Sequence, residues 1–320
     1  WESLAKEDRN LRIVLGHLYE EFKEAPTRGS LINPKRSVVS KLVDWNDLEL
    51  TLLTGLSGTE SEEQLEMGIV ARGIAKAAQI LTSGFHLVIT NVPYLTRGKQ
   101  ELRLREFLES AFVNSKTDLA TAFLERCLNF NPRGGTCAIV MPQNWLFLTT
   151  YKKLREYLLT NETWRLIARL GAQAFQTPMW DFNVQLLILG HEAQADGLQV
   201  CNSVSGPPDM RVGASSHKIC ELDASEPRYS FDKASLLIDG KIATMDQQKQ
   251  LGNPDSRLVS DDLADKEFLH EYAAAYQGIK TGDDLRKRRF FWEQDSNERW
   301  QPFQSTVELT TPWGGMESSI

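Results

Sequence analysis

Apolar residues recur at two different periods along the 320-residue chain, and the alternation between those periods outlines a fold. Leu11, Val14, Leu15, Leu18, Tyr19 and Phe22 fall near helical spacing, which predicts an amphipathic helix over 9–24 that breaks at Pro26. Gly29-Ser-Leu-Ile-Asn-Pro34 follows as a turn-rich connector. Ile69, Val70, Ile74, Ala77 and Ile80 predict a second helix over about 61–82. Phe85-His-Leu-Val-Ile-Thr90 is then a short apolar run bounded by Gly84 and the Asn91-Val-Pro93 breaker, and predicts a buried strand. The pattern repeats. Leu119, Phe123, Leu124, Cys127 and Leu128 share one face of a helix over Asp118–Phe130, and Gly134-Gly135 stops the run. Thr136-Cys-Ala-Ile-Val-Met141 reads as a further buried strand ending in Pro142, Tyr151–Leu159 as a helix, and Trp164–Leu170 and Val184–Leu189 as strands.

Strands alternating with helices imply a layered α/β fold with a mostly parallel sheet. Such sheets bind ligands at the carboxyl ends of their strands, so chemistry is expected at Asn91–Tyr94 and at Pro142–Phe147. From about residue 195 the texture changes. Gly206-Pro-Pro208 and Gly213-Ala-Ser-Ser216 are loop-like, Ser235-Leu-Leu-Ile-Asp239 suits one short strand, and Glu267–Tyr276 a short helix. The expected division is a catalytic α/β domain over 1–195, a connector over 196–275, and the opening of another domain over 276–320.

The composition, 41% apolar and 25% charged, is that of a globular protein and excludes a disordered chain. No apolar run reaches the roughly 18 residues that a membrane span needs. A net charge of −7 argues against a uniformly basic coat and leaves a local basic groove open. Cys127, Cys137, Cys201 and Cys220 lack paired spacing, and the five histidines are scattered, so no metal site and reduced thiols are expected. The first residues carry no signal-peptide pattern, which fits a cytoplasmic protein. The chain begins at Trp1 rather than Met and reads as a piece of something larger.

Asn91-Val-Pro-Tyr94, set after a predicted strand, resembles motif IV of the amino-methylating DNA methyltransferases, usually Asn-Pro-Pro-Tyr. The resemblance has a chemical rationale. The exocyclic amine of adenine is a poor nucleophile because its lone pair is delocalised into the ring. Two acceptors aimed at its protons, the Asn91 side-chain oxygen and the Val92 backbone carbonyl, favour a tetrahedral nitrogen. The base must first leave the duplex stack. Tyr94 would stack on its face, and Pro93 would stiffen the loop. Val92 departs from the family's first proline: a carbonyl remains, but the fixed φ that pre-sets its direction is lost.

The continuation carries the resemblance further. Asp118-Leu-Ala-Thr-Ala-Phe-Leu-Glu-Arg126, Gly134–Phe147, Tyr151-Lys-Lys-Leu-Arg155, Leu170-Gly-Ala-Gln-Ala-Phe175 and Asn183-Val-Gln-Leu-Leu-Ile-Leu189 follow in order. With Gly29–Pro34 upstream and Lys280-Thr-Gly-Asp-Asp-Leu-Arg286 before Phe291-Trp-Glu293, this succession is similar to the adenine-specific methyltransferases of type IIG restriction–modification and BREX phage-defence systems. The resemblance implies a Rossmann-like class I methyltransferase sheet, a DNA target-recognition region beginning over 276–320, S-adenosylmethionine as cofactor, duplex DNA as partner alongside restriction or defence subunits, and a prokaryotic cytoplasm. It implies that Phe175 lies beside the flipped base, where a packed core Phe is the plain alternative. Asn144 and Trp145 either touch substrate or pack their loop, and Asp118 either starts its helix or reaches the cofactor. Arg286, Lys287, Arg288 and Arg289, with Lys280, are candidates for phosphate contact or a solvated turn. Arg97, Lys99, Arg103 and Arg105 are either a mobile basic segment that grips backbone or a solvated helix face.

One part of the pattern is missing. The family cradles its cofactor in a glycine-rich turn after the first strand, with an acidic residue after the second. Leu53-Thr-Gly-Leu-Ser-Gly58 has glycines but no suitable strand before it. The sequence thus reads as the base-binding half of a catalytic domain without its cofactor-binding half, unable to methylate alone. The competing reading is a catalytically silent DNA-binding or assembly subunit. No GxGxxG follows a strand, which counts against a dehydrogenase, and no Asp…Glu-x-Lys set suits a nuclease.

Overall fold

The computed structural model describes residues 9–36, 62–175, 182–191, 217–226 and 230–259, with short pieces at 272–273, 287–293, 300–303 and 318–319. It divides into two compact units, Trp1–Leu263 and Ala264–Ile320. The first begins with α1 (Arg9–Phe22), followed by a single turn at Ala25–Arg28 that Pro26 opens, as its preset φ allows. Helix α2 (Glu62–Thr82) packs Ala71, Ala75 and Ala78 against Leu15, Leu18 and Phe22 of α1.

The chain then enters the sheet: β1 (Leu87–Asn91), α3 (Leu102–Ala111), α4 (Leu119–Phe130), β2 (Thr136–Pro142), α5 (Lys152–Asn161), β3 (Thr163–Gly171) and β4 (Val184–Gly190). After it come β5 (Lys218–Asp223), α6 (Ser230–Asp239), β6 (Ala243–Asp246) and α7 (Gln247–Gly252). The six strands lie in the order β1-β2-β4-β3-β5-β6. Strands β1, β2, β3 and β5 share one direction, whereas β4 and β6 run against it. The sheet is therefore mixed, not mostly parallel by pairing: only β1–β2 and β3–β5 are parallel neighbours. The reason is local. β3 and β4 are joined without a crossover helix among the described residues, so the chain returns antiparallel and wedges β4 between β2 and β3.

Alternation along the strands separates two faces. Val88, Cys137, Ile139, Met141, Leu187, Leu189, Ile167, Ile219 and Met245 point to the main core, closed by Leu124 and Leu128 of α4 and Leu154 and Leu158 of α5. The opposite face carries Leu87, Ile89, Ala138, Val140, Ile188 and Leu166, none of which is buried. Only its corner over Ala168, Leu170, Leu222 and Ala224 is packed, by Leu236 and Leu237. Strand β1, expected to be buried, is an edge strand with Leu87 57% and Ile89 72% exposed. Its apolar run suits a covered position that the described residues leave open.

Two more expectations change. Ser235–Asp239 belongs to helix α6, not a strand. The region beyond 196, read as a connector, supplies β5 and β6 to the sheet. The Gly29–Pro34 connector is pinned: buried Arg126 of α4 donates to Ser30 O (2.9 Å), Ile32 O (2.8 Å) and Leu81 O (3.0 Å). Burial lowers that guanidinium's pKa to about 10. The second unit, by itself, holds a small sheet of two-residue strands in the order β7 (Arg289–Phe290), β9 (Ser318–Ser319), β8 (Pro302–Phe303). No described helix is long and apolar enough to cross a membrane.

Candidate functional site

Asn91 is the last residue of β1, in register with Val140 of β2, and its side chain reaches the sheet's carboxyl edge exposed. Val92 turns inward and is buried in the main core. Packing, in place of a proline ring, thus fixes the position of the peptide after Asn91. Pro93 is exposed, and Tyr94 is half-buried against the core. The Tyr94 hydroxyl donates to Asn91 Oδ1 at 3.1 Å, and the Tyr94 ring lies 6.0 Å from that of Phe182 at 52°. Burial raises the Tyr94 pKa, so the hydroxyl stays a donor at neutral pH.

Asp118 holds this loop from behind. Its carboxylate caps α4 by accepting from Ala120 N at 2.8 Å, while Leu119 N donates to Leu95 O and Arg97 N to Thr117 O, both at 3.0 Å. Burial raises the Asp118 pKa, and backbone hydrogen bonds from Ala120 and Leu95 partly oppose that rise. Helix start, one of the two roles considered for it, is the role this geometry gives Asp118.

After β2, Gln143 N donates to Asn183 O at 2.8 Å, and Asn144 is exposed at the same edge. Trp145 is 2% exposed and tilted against Trp164 at 5.6 Å between ring centres, so it packs the loop. Phe175 is exposed, at the end of a segment whose Gly171 and Gln173 have positive φ. Phe182 was missed from sequence. A rule that looks only after strands misses it: β4 is antiparallel, so the residues before it are those that reach this edge.

The basic positions are partly engaged. Arg97 pairs with Glu109, Arg103 lies 3.5 Å from Glu24, and Arg105 donates to Arg97 O at 3.1 Å. This segment is not a loose strand of charge: it forms a turn at Arg97–Lys99 and then α3, with Lys99 exposed. In the second unit Arg288 lies over the Phe303 ring, Arg289 donates to Arg288 O, and Phe290 stacks on Trp292 at 4.5 Å. Lys280 and Arg286 lie outside the described residues, as does Leu53–Gly58.

The described residues do not fit S-adenosylmethionine as a cradle. Gly134-Gly135 precedes β2 rather than following a strand, and Gly171, which ends β3, is packed so closely that a Cβ there would meet Ser225 at 2.9 Å, so neither is a glycine turn open to a cofactor. No group of three His, Cys, Asp or Glu among the described residues is placed to hold a metal.

A mixed α/β sheet that ends a strand in Asn-Val-Pro-Tyr at its carboxyl edge defines a class, and comparison with known proteins narrows it. Residues 31–175 match the family model of the Eco57I restriction-modification methylase. The chain is 30% identical over 174 residues to the adenine-specific methyltransferase PglX of Lacticaseibacillus casei (strain Zhang), covering 52% of this chain and 13% of that protein. It is 30% identical over 154 residues to the adenine-specific methyltransferase BrxX of Escherichia coli O9:H4 (strain HS), covering 48% of this chain and 12% of that protein. It thus spans about an eighth of the length of these curated relatives. Among solved structures, the DNA-bound Type ISP restriction-modification enzyme LlaBIII matches at 13% identity and a TM-score of 0.42, over 68% of this chain and 16% of that one. The type IIG restriction endonuclease BpuSI matches at 15% identity and 0.34, over 53% and 20%. The group that the motif order resembled, adenine-specific methyltransferases of restriction–modification type, is the group these matches define.

Proposed function

We propose that this chain carries the base-binding half of a DNA adenine-N6 methyltransferase acting in restriction–modification or phage defence, in a bacterial cytoplasm. The observation that carries the reading is the arrangement at the end of β1, where the Tyr94 hydroxyl meets Asn91 Oδ1 and the Tyr94 ring lies against that of Phe182. A side-chain carbonyl has two lone pairs, so Asn91 can accept a proton of the adenine amine while Tyr94 occupies the other. The Val92 carbonyl serves as the second acceptor. The rings supply the stacking surface for a base drawn from duplex DNA, worth about 1–3 kcal/mol per base.

S-adenosylmethionine is the methyl donor in this reading, held by an α/β unit outside the described residues. What supports such a unit is the open edge of β1 with its bare face, where the apolar side chains Leu87 and Ile89 are exposed. Lys99, Asn144 and Phe175 line the same reading as DNA and base contacts, and Lys280, Arg286, Arg288 and Arg289 as phosphate contacts of the target-recognition region.

In the complete enzyme, Asn91→Ala is expected to lower methyl transfer to DNA by about 10²–10³-fold, the scale for deleting one oriented polar group, with DNA affinity retained. An unchanged transfer rate would remove Asn91 from the mechanism. The absence of a cofactor cradle among the described residues also favours a second reading, a silent DNA-binding or assembly subunit. Methyl transfer from radiolabelled S-adenosylmethionine by the complete protein decides between them.

A further inference from the structure

The loop after β2 rests on something other than the sheet. Arg155 of α5 is fully buried, yet no carboxylate is hydrogen-bonded to it. Its guanidinium donates only to backbone carbonyls, and these come from two segments about a hundred residues apart. Nη1 donates to Trp145 O and, at 2.8 Å, to Leu148 O; Nη2 donates to Asp255 O at 2.7 Å, and Nε to Ser256 O at 3.1 Å and to Asp255 O at 3.3 Å. Asp255 and Ser256 both have left-handed φ, 55° and 52°, which non-glycine residues adopt only when their surroundings hold them there. Leu258 N donates to Leu146 O at 3.3 Å, and Thr149 Oγ1 to Asp255 Oδ2 at 3.0 Å, so contact runs along both segments.

We propose that Arg155 is a positioning residue: it clamps the 144–148 loop to the strained 254–258 turn, so that the loop presenting Asn144 at the candidate site keeps its shape only while that turn is formed. The turn lies just ahead of the second unit, which starts at Ala264, along the chain. A change in the path of the chain at 254–258 is therefore felt at the sheet's functional edge. Breaking the clamp costs more than one contact, because five hydrogen bonds to one side chain fail together. The role of the loop as a substrate contact rests on the methyltransferase reading; the clamp itself does not.

The test uses hydrogen exchange on the whole 320-residue chain and needs no catalysis. Arg155→Met keeps the apolar stem and removes the donors. Asp255→Pro attacks the same clamp from the other end, since proline's φ near −65° forbids the left-handed turn. Both variants are expected to speed exchange at 144–151 and 254–258 by about tenfold or more, as locally opened segments do, leaving β3 and β4 at wild-type rates. The double variant should be no faster than the faster single one, because both remove the same interaction. Additive effects, or a Asp255→Pro variant in which 144–151 exchanges as in wild type, would overturn the clamp. Neither result bears on whether the complete protein methylates adenine, and loss of activity in Asn91→Ala does not bear on the clamp.

Discussion

Asn91 and Tyr94 show what a four-residue motif specifies and what it leaves to packing. The sequence singled out both as candidates, because an amide oxygen and an aromatic ring after a strand suit the aromatic amine substrate proposed above. It also gave Val92 a weakened role, since valine lacks a proline's fixed φ. The structure offers a compensating restraint: the Val92 side chain is buried in the core and fixes the peptide whose carbonyl is the second acceptor in the proposed function. Phe182 was illegible at this scale because its relevance depends on strand direction. Asp118 yields a prediction with a sign. Its folded pKa is raised above the ordinary 3.8, so the folded chain binds that proton more tightly than the unfolded chain. Its contribution to stability is full below about pH 4 and is lost as pH rises through the raised value. Asp118→Asn keeps the capping oxygen and should abolish that loss, so urea midpoints of the two proteins should diverge in favour of Asn between pH 4 and pH 7. Asp118→Ala removes the cap and should cost about 1 kcal/mol at either pH.

Elements with a strong single period were legible to within a few residues: α1, α2, α4, α5, β2, β3 and β4 all form where the apolar spacing places them. Short apolar runs were not. Leu236-Leu-Ile238 suits a strand or one helical turn, and only contact decides: Lys233, Leu236 and Leu237 face inward while Ile238 is exposed, a helical division. Burial misled for β1 in the same way, because an apolar run predicts a covered strand but not what covers it. Two substitutions test these assignments. Leu87→Lys on the bare face should change the stability of this chain by less than about 0.5 kcal/mol, as at ordinary surface sites, whereas Ile139→Ala on the buried face should cost about 2–5 kcal/mol. A loss in Leu87→Lys comparable to that in Ile139→Ala, measured by denaturant unfolding, would show that the first face is covered. Gly171→Ala should cost about 1–3 kcal/mol, since φ is +64° and the new Cβ would sit 2.9 Å from Ser225.

For the whole molecule, the chain's alternation of helix and strand announced an α/β sheet, which the structure has, and the motif order announced a family whose model matches residues 31–175. The proposed assembly predicts that a separately expressed cofactor-binding unit restores methyl transfer when mixed with this chain, and that Leu87→Lys prevents the restoration while leaving the chain folded. Complementation by the Leu87→Lys variant at the wild-type level would exclude β1 as the joint. What the sequence determined by itself was local: hydrophobic period, strand ends, and the residue types placed after them. These survive any particular packing because they are properties of consecutive residues. The tertiary structure alone decided strand direction, which face stays open, that β5 and β6 join the sheet, and that Arg155 ties two loops distant in sequence. Those depend on which segments meet, and a contact across a hundred residues leaves no periodic trace in either partner.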